Sequence, residues 1–570
     1  MYTASSAFLD SLQEAGVSYV FANFGSDHPA LIEAIAAARA QGRPAPSFVT
    51  CPNEMVALSC AQGYAQLTGR AQAVVVHVEC GTQALGGAVH NVARCRTPVL
   101  IYAGMSPATQ EGELPGGRNE FIHWLQDVAD QRGIVRQYMK YDHEIRSSRN
   151  VPQIVHRALQ IAQSDPKGPV YLVSARETME AAAAPLSTDV SLWRPIPPTP
   201  LPEDAVAEIA EAIAAAKRPL VVTSYLGRNG AAVAELTRLC RGFGVGVLES
   251  APSCMNYPHD DDFYLGNYWN EPIQNPVLAE ADVVLVIDSD VPWIPSVNAP
   301  CAQAAIYHLD VDPLKETIPL WYIRARRSLR ADAGLGLRQL NERLARRPAD
   351  GSIVDERRRH YRELHRRRAE ELARREAPDA TRIRPEWLTA CVRRAIGDDA
   401  IVLNEGVTNY PAITSHAARR RPGTFFASGG SSLGWSGGAA IGMKLAAPER
   451  MVASLTGDGS YMFSVPSTVH WMARRHQTPF LQVVYNNRGW KAPRFSALAL
   501  HADGYASRAD DLGLRFDPPP DYAGVAAAAG GALAIAVKRP DEVEAAIARA
   551  VRTVREEKRC AVVDAWLADD

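Results

Sequence analysis

Two short stretches of this chain carry side chains suited to holding a metal-bound anion. Gly457-Asp458-Gly459 is followed, after 26 intervening residues, by Asn486-Asn487. The first follows the apolar run Met451-Val-Ala-Ser-Leu455 and the second closes Phe480-Leu-Gln-Val-Val-Tyr485, so each reads as the tip of a parallel strand, with a helical crossover between them. A carboxylate and an amide then stand side by side at one edge of a sheet. Mg²⁺ is a hard, octahedral ion that takes few protein oxygens and fills its other positions with phosphate and water. One carboxylate, one amide and one backbone carbonyl make a suitable half-shell for it. The glycines let a diphosphate approach the backbone, and a helix beginning just past Ser460 is expected to aim free N–H groups at it.

This spacing resembles the diphosphate and metal motif of thiamine diphosphate (ThDP) enzymes of the pyruvate decarboxylase and acetolactate synthase superfamily. The resemblance implies Mg²⁺ held by the side chains of Asp458 and Asn487 and the Gly489 carbonyl, with Gly457, Gly459, Ser460 and Gly489 along the cofactor. Leu403-Asn-Glu-Gly-Val-Thr-Asn409 resembles the family's diphosphate loop, which makes Val407 and Thr408 cofactor contacts. The glycine-rich stretch Gly429 to Gly442 implies further contacts at Ser431 and Ser432. Aligned on its Ala-Ala-Ile-Gly end, Leu433 falls where the family places the bulky wedge that bends the cofactor.

Thiamine chemistry also needs a carboxyl in an apolar setting, hydrogen-bonded to the cofactor's pyrimidine so that a proton can leave the thiazolium C2. Glu54 fits. It lies between the strand-like Ser47-Phe-Val-Thr50 and a small-residue helical stretch, and Glu54 to Gly69 resembles the superfamily's glutamate helix. The loop His77-Val-Glu-Cys-Gly-Thr82, with Gly87 and Asn91 beyond, resembles the pyrimidine-site loop. Its histidine, and Ser26 in Phe21-Ala-Asn-Phe-Gly-Ser26, look like the benzoylformate decarboxylase version, which implies His77 as proton donor and Ser26 as an active-site hydroxyl. The chain also departs from the family. Ile287-Asp-Ser-Asp-Val-Pro-Trp293 lacks that enzyme's second histidine, and Lys491-Ala-Pro-Arg494 replaces the acidic pair of acetolactate synthase. The final strand is soon followed by Trp566-Leu-Ala-Asp-Asp570, which leaves no C-terminal lid of the kind that CoA-using members carry.

Positioning these groups takes several cores. At 570 residues the chain suggests three domains. Helical patterns alternate with short β-rich runs over 1–184, a proline-rich linker follows at 185–202, and a second α/β unit spans 203–350. A charged connecting helix at 351–383 leads to a third unit at 384–570. The expected fold is three successive α/β domains with parallel sheets, in the family's order of pyrimidine-binding, middle and diphosphate-binding. Arginines between Asp355 and Glu376 pair with acids four residues earlier, as in Asp355/Arg359, Glu363/Arg367, Glu370/Arg374 and Glu371/Arg375. That pattern predicts a solvated helix rather than a nucleic-acid surface. His259-Asp-Asp-Asp262 reads as a surface loop.

The 61 basic and 63 acidic residues nearly cancel, so there is no long-range field to gather nucleic acid or an anionic membrane. Nine scattered cysteines without a CxxC pair suggest a reducing cytoplasm, and no run of about 20 apolar residues is long enough to cross a bilayer. The functional expectation is a homodimer or homotetramer with ThDP and Mg²⁺ that decarboxylates a small 2-oxo acid to an aldehyde. An acetolactate synthase-like carboligase, a 2-hydroxyacyl-CoA lyase and a catalytically silent binding protein are the alternatives, in that order. FAD stays open for the middle domain, with no positive signal in the sequence.

Overall fold

A computed structural model describes residues 1–186, 188–346, 350–509 and 511–568, so Asp569 and Asp570 lie outside the described residues, as do position 187 of the linker and positions 347–349 near the end of the second unit. It contains three six-stranded sheets, with every strand pairing parallel. The first is built from β1 (Tyr19–Ala22), β2 (Ser47–Thr50), β3 (Gln72–Val76), β4 (Val99–Met105), β5 (Tyr141–Glu144) and β6 (Val170–Ala175), in the order β2-β1-β3-β4-β6-β5. The second holds β7 (Pro219–Thr223), β8 (Gly246–Ser250), β9 (Tyr264–Tyr268), β10 (Val283–Ile287), β11 (Ala305–Asp310) and β12 (Arg327–Arg330), ordered β12-β11-β10-β7-β8-β9. The third has β13 (Ile401–Glu405), β14 (Phe425–Phe426), β15 (Val452–Gly457), β16 (Leu481–Asn486), β17 (Leu533–Val537) and β18 (Ala561–Trp566), ordered β14-β13-β15-β16-β18-β17. Strands such as β3 and β10 are buried along their whole length, as expected of parallel strands covered by helices on both faces.

The first and third sheets share one strand order, and the helix after the second strand of each packs against its counterpart. These helices are Glu54–Thr68 and Trp435–Ala446. Their axes approach closely because small residues face each other. A Cβ at Gly442 would lie 1.9 Å from the Cys60 carbonyl oxygen, and one at Gly63 would lie 2.4 Å from that of Ala439. The glutamate helix runs from an Asn53 cap, whose side chain accepts the Val56 N–H, to Gly69 in the left-handed region at φ 71°.

Two surface expectations need correction. The charged helix forms, over Gly351–Arg375, but it is not simply solvated. Arg357 is fully buried, and its guanidinium donates to the carbonyls of Phe243 (3.1 Å), Ala214 (2.9 Å) and Ala216, the C-terminal ends of two helices of the middle unit. On the outer face the Glu363–Arg367 and Glu371–Arg375 pairs form at 2.6 Å, whereas Asp355 pairs with Arg358 and Glu370 with Arg366. In the 259–262 loop, His259 and Asp261 are buried, the ring stacked on Tyr264 and the carboxylate accepting from Tyr257 and Arg241. Among the described residues, no helix is long and apolar enough to cross a membrane.

Candidate active site

The diphosphate-side half forms at the C-terminal edge of the third sheet. β15 and β16 are adjacent, with Gly457 paired to Tyr485, so the residues that follow each strand meet as the spacing requires. Asp458 is buried, and its carboxylate accepts the backbone N–H of Gly459 at 2.9 Å and of Gly489 at 3.1 Å. Burial pushes its carboxyl up to about 6 despite those donors. Asn487 donates to Thr408 Oγ1 at 3.4 Å and leaves its buried Oδ1 without a partner. The Ser460 hydroxyl is likewise buried and unpartnered. The helix starts at Asp458 itself, three residues earlier than expected, and ends at Phe463. A Cβ at Gly459 would strike the Trp490 ring at 2.3 Å, so that indole closes one side of the turn. A buried carboxylate and an orphaned amide oxygen on neighbouring strand tips form a donor set that suits a hard divalent cation.

The two loops expected to flank this site are tied together by Glu405. At the end of β13, this fully buried carboxylate accepts the N–H groups of Trp435 (2.8 Å) and Ser436 (2.9 Å), which opens the helix Trp435–Ala446, and burial pushes its carboxyl up. Val407 and Ser431 sit in the left-handed region at φ 53° and 60°; for β-branched Val407 this is a strained conformation of the kind that collects at binding sites. Ser432 exchanges two hydrogen bonds with Asn91, at 2.9 and 2.8 Å, so Asn91 pins this loop to the first sheet's helices. Leu433, partly buried, follows directly.

The second half lies at the C-terminal edge of the first sheet. Glu54 opens its helix and accepts from Asn23 Nδ2 at 2.9 Å, and a Cβ at Gly81 would come within 3.2 Å of its carboxylate. His77, just past β3, has an acceptor at each ring nitrogen: Asp27 Oδ1 at 2.6 Å from Nδ1 and Gln126 Oε1 at 2.9 Å from Nε2. That is the environment of an imidazolium, and the hydrogen bond to Asp27 raises the His77 pKa despite partial burial. Burial alone would push the Asp27 carboxyl up, but His28 and His77 outweigh it and hold the group below the usual carboxylate range. Ser26 Oγ lies 3.5 Å from His123 Nε2. Glu54 makes its hydrogen bond within the first unit and Asp458 its own within the third.

Family models match all three units. The N-terminal TPP binding domain of thiamine pyrophosphate enzymes matches residues 2–134, the central domain 206–340 and the C-terminal TPP binding domain 406–565. The chain belongs to the thiamine pyrophosphate enzyme family. It is similar to a benzoylformate decarboxylase of Pseudomonas aeruginosa, at 25% identity over 87% of this chain and 88% of the relative. The acetolactate synthase isozyme 3 large subunit of Escherichia coli is 24% identical over 88% of this chain and 85% of its own. A sulfoacetaldehyde acetyltransferase of Rhodobacter capsulatus is 23% identical, covering 93% of this chain and 88% of its own. The fold matches a Rhodococcus jostii thiamine diphosphate-dependent 4-hydroxybenzoylformate decarboxylase with a TM-score of 0.79, at 21% identity and full coverage of both chains.

Asn23, Asp27, His123 and Gln126 do not stand out in the sequence, although each touches an expected site residue in this thiamine pyrophosphate enzyme, and neither does Glu405, which holds the start of the helix that follows Leu433. A signal existed for two of them. Asn23 and Asp27 flank Ser26 in the loop after a strand, and in parallel sheets ligands gather beyond the carboxyl ends of the strands.

Proposed function

We propose that this enzyme is a Mg²⁺- and ThDP-dependent decarboxylase of small 2-oxo acids. The observation that carries the reading is His77, hydrogen-bonded to Asp27 and Gln126 with its pKa raised by Asp27, on the same sheet edge as Ser26 and Glu54. ThDP, when bound, supplies a nucleophilic carbon for the substrate's keto group and takes up the electrons released as CO₂ leaves. Asp458, Asn487 and the Gly489 carbonyl would hold Mg²⁺ against the diphosphate, and Val407, Thr408, Ser431, Ser432, Gly457, Gly459 and Ser460 would line that anion, with Leu433 beneath the cofactor. Glu54 would hold and move the proton on the pyrimidine side. Ser26 would donate to the substrate carboxylate. His77 Nε2–H, bonded to Gln126 until substrate arrives, would deliver the proton that completes the aldehyde.

The exposed apolar groups beside the two halves support a homo-oligomer. Phe121 and Leu125 are 78% and 76% exposed next to His123 and Gln126, and Met462 and Phe463 are exposed on the Asp458 helix. A two-fold dimer, alone or within a tetramer, would cover these patches and join Glu54 of one protomer to the Asp458 side of its partner.

A colourless purified protein is expected. In a sheet ordered like the second, a dinucleotide would enter where the order reverses, between β7 and β10. Here Tyr225 donates to Asp310 at 2.7 Å, Lys315 pairs with Asp310 at 2.7 Å, and Arg96 pairs with Asp290 at 2.8 Å. These side chains pair with one another at the ends of the strands. A flavin band in the visible spectrum would refute this.

The function is tested by screening 2-oxo acids for CO₂ and aldehyde. His77→Ala is expected to lower turnover by about 10²-fold or more while C2 proton exchange of bound cofactor continues. Asp27→Asn removes the group that raises the His77 pKa, so the alkaline limb of the kcat profile should move to lower pH. Wild-type turnover by His77→Ala, or 2-hydroxy ketone as the main product, would favour the carboligase instead.

A further inference from the structure

One buried charge in this half-site has no assigned role. Arg176 follows β6 directly, at the sheet edge that carries Ser26 and His77, and is only 9% exposed. Its Nη1 donates to Asn119 Oδ1 and to His123 Nε2, both at 3.2 Å, and its Nε has no partner. Neither partner is an anion, and burial and the Arg176 charge push the His123 pKa down. Among the described residues no carboxylate pairs with this guanidinium. Glu177, next in sequence, turns to the N–H and hydroxyl of Thr109 at 2.8 and 2.7 Å. Asp27 is taken by His28 and His77, and Asp127 by Arg118. A guanidinium largely buried without a counter-ion is costly, and a ligand anion removes that cost.

The position says which anion. His123 Nε2 lies within reach of both Ser26 Oγ, at 3.5 Å, and Arg176, so the guanidinium stands one side chain beyond the proposed carboxylate-binding hydroxyl. The departing carboxylate must lose its charge as CO₂, and a buried pairing with arginine would stabilise it in the ground state more than in the transition state. A neutral hydroxyl such as Ser26 holds it without that penalty. The group that suits Arg176 is therefore one that the substrate keeps.

We infer that Arg176 binds a second anionic group at the far end of the substrate, so that this enzyme prefers short 2-oxo acids bearing a distal carboxylate, sulfonate or phosphonate. The inference rests on the 2-oxo acid reading above and narrows it.

The test uses the full-length protein with ThDP and Mg²⁺ and matched substrates: 2-oxoglutarate against 2-oxopentanoate, and 3-sulfopyruvate and 3-phosphonopyruvate against 2-oxobutanoate. The anionic member of each pair is expected to have the higher kcat/KM by about 10²-fold or more for at least one tail chemistry. Arg176→Gln should erase that preference, chiefly through KM, and leave the neutral acids within about threefold of wild type; Arg176→Lys should restore part of it. Calorimetric titration of glutarate, which needs no turnover, should show binding by wild type and Arg176→Lys and a loss with Arg176→Gln. Equal kcat/KM within every pair, or equal glutarate binding by wild type and Arg176→Gln, overturns the subsite while leaving the 2-oxo acid reading intact. So does a dimer weakened by Arg176→Gln with the substrate preference unchanged, because the counter-ion would then come from a second copy of this chain. Glutarate held through Arg176 with no CO₂ from any acid supports the subsite and sinks the decarboxylase reading alone.

Discussion

Glu54→Gln is expected to slow C2 proton exchange of bound ThDP, and turnover with it, by about 10² to 10⁴-fold, while the protein folds and binds the cofactor. Glu54 occupies the first position of a helix already capped by Asn53, so its carboxylate is not needed to start that helix. One oxygen accepts from Asn23, and an amide oxygen can accept the same bond. The substitution therefore keeps size, helix and local hydrogen bond and removes only the ability to carry a proton. Thermal stability should be unchanged. NMR exchange rates at C2, measured with wild type and variant under saturating cofactor, separate this step from substrate binding. Wild-type exchange in the variant would mean that another group moves the proton.

The parts of the site that were legible in the sequence are those that lie on one element or on neighbouring strands. Gly457-Asp458-Gly459 and Asn486-Asn487 could be read because two apolar runs of similar length end in them, and the Gly457/Tyr485 register brings the ends together. The glutamate helix could be read to the residue because a cap and a left-handed glycine bound it. The Asp27–His77 pair could not. It joins residues 50 positions apart across β1 and β3, and a linear pattern carries no information on which strands are neighbours. Arg357 was misread for a related reason: its helix has acids and bases on most faces, and only the carbonyls of two distant helix ends make that one arginine internal. Arg176 sits in Ser174-Ala-Arg176, where a charged residue after a strand resembles any surface turn until the packing around it is known. The Glu405 cap shows the converse case. The loop was recognised by its small and hydroxyl residues, while the carboxylate that holds it against the next helix was hidden inside the strand.

Asp458→Ala is expected to abolish Mg²⁺-dependent retention of ThDP, the largest loss of any single substitution considered. Asp458 is the one carboxylate in the donor set, and the neutral oxygens of Asn487 and Gly489 give a hard dication little to replace it. Its protonation should act in the same direction. With the carboxyl pushed up to about 6 by burial, the metal-binding form dominates above that pH and the proton competes below it. Apparent Mg²⁺ affinity should fall by about tenfold per pH unit below 6 in wild type. The folding linkage has the opposite sign. A carboxyl whose folded pKa lies above its unfolded value favours the folded apo protein when protonated, so that contribution is lost as pH rises through 6. The apo protein should gain stability on mild acidification over the same window in which it loses cofactor. Equilibrium dialysis of ThDP with and without Mg²⁺, run beside thermal melts, reads both effects. Tight Mg²⁺-dependent binding by Asp458→Ala would remove Asp458 from the metal site. If the proposed two-fold assembly is correct, mixing Asp458→Ala with Glu54→Gln under subunit exchange should restore activity. A heterodimer of the two variants holds one site with both wild-type residues and one with neither, so a statistical mixture should recover about a quarter of wild-type activity. No recovery despite demonstrated exchange would place both halves in one protomer's own site.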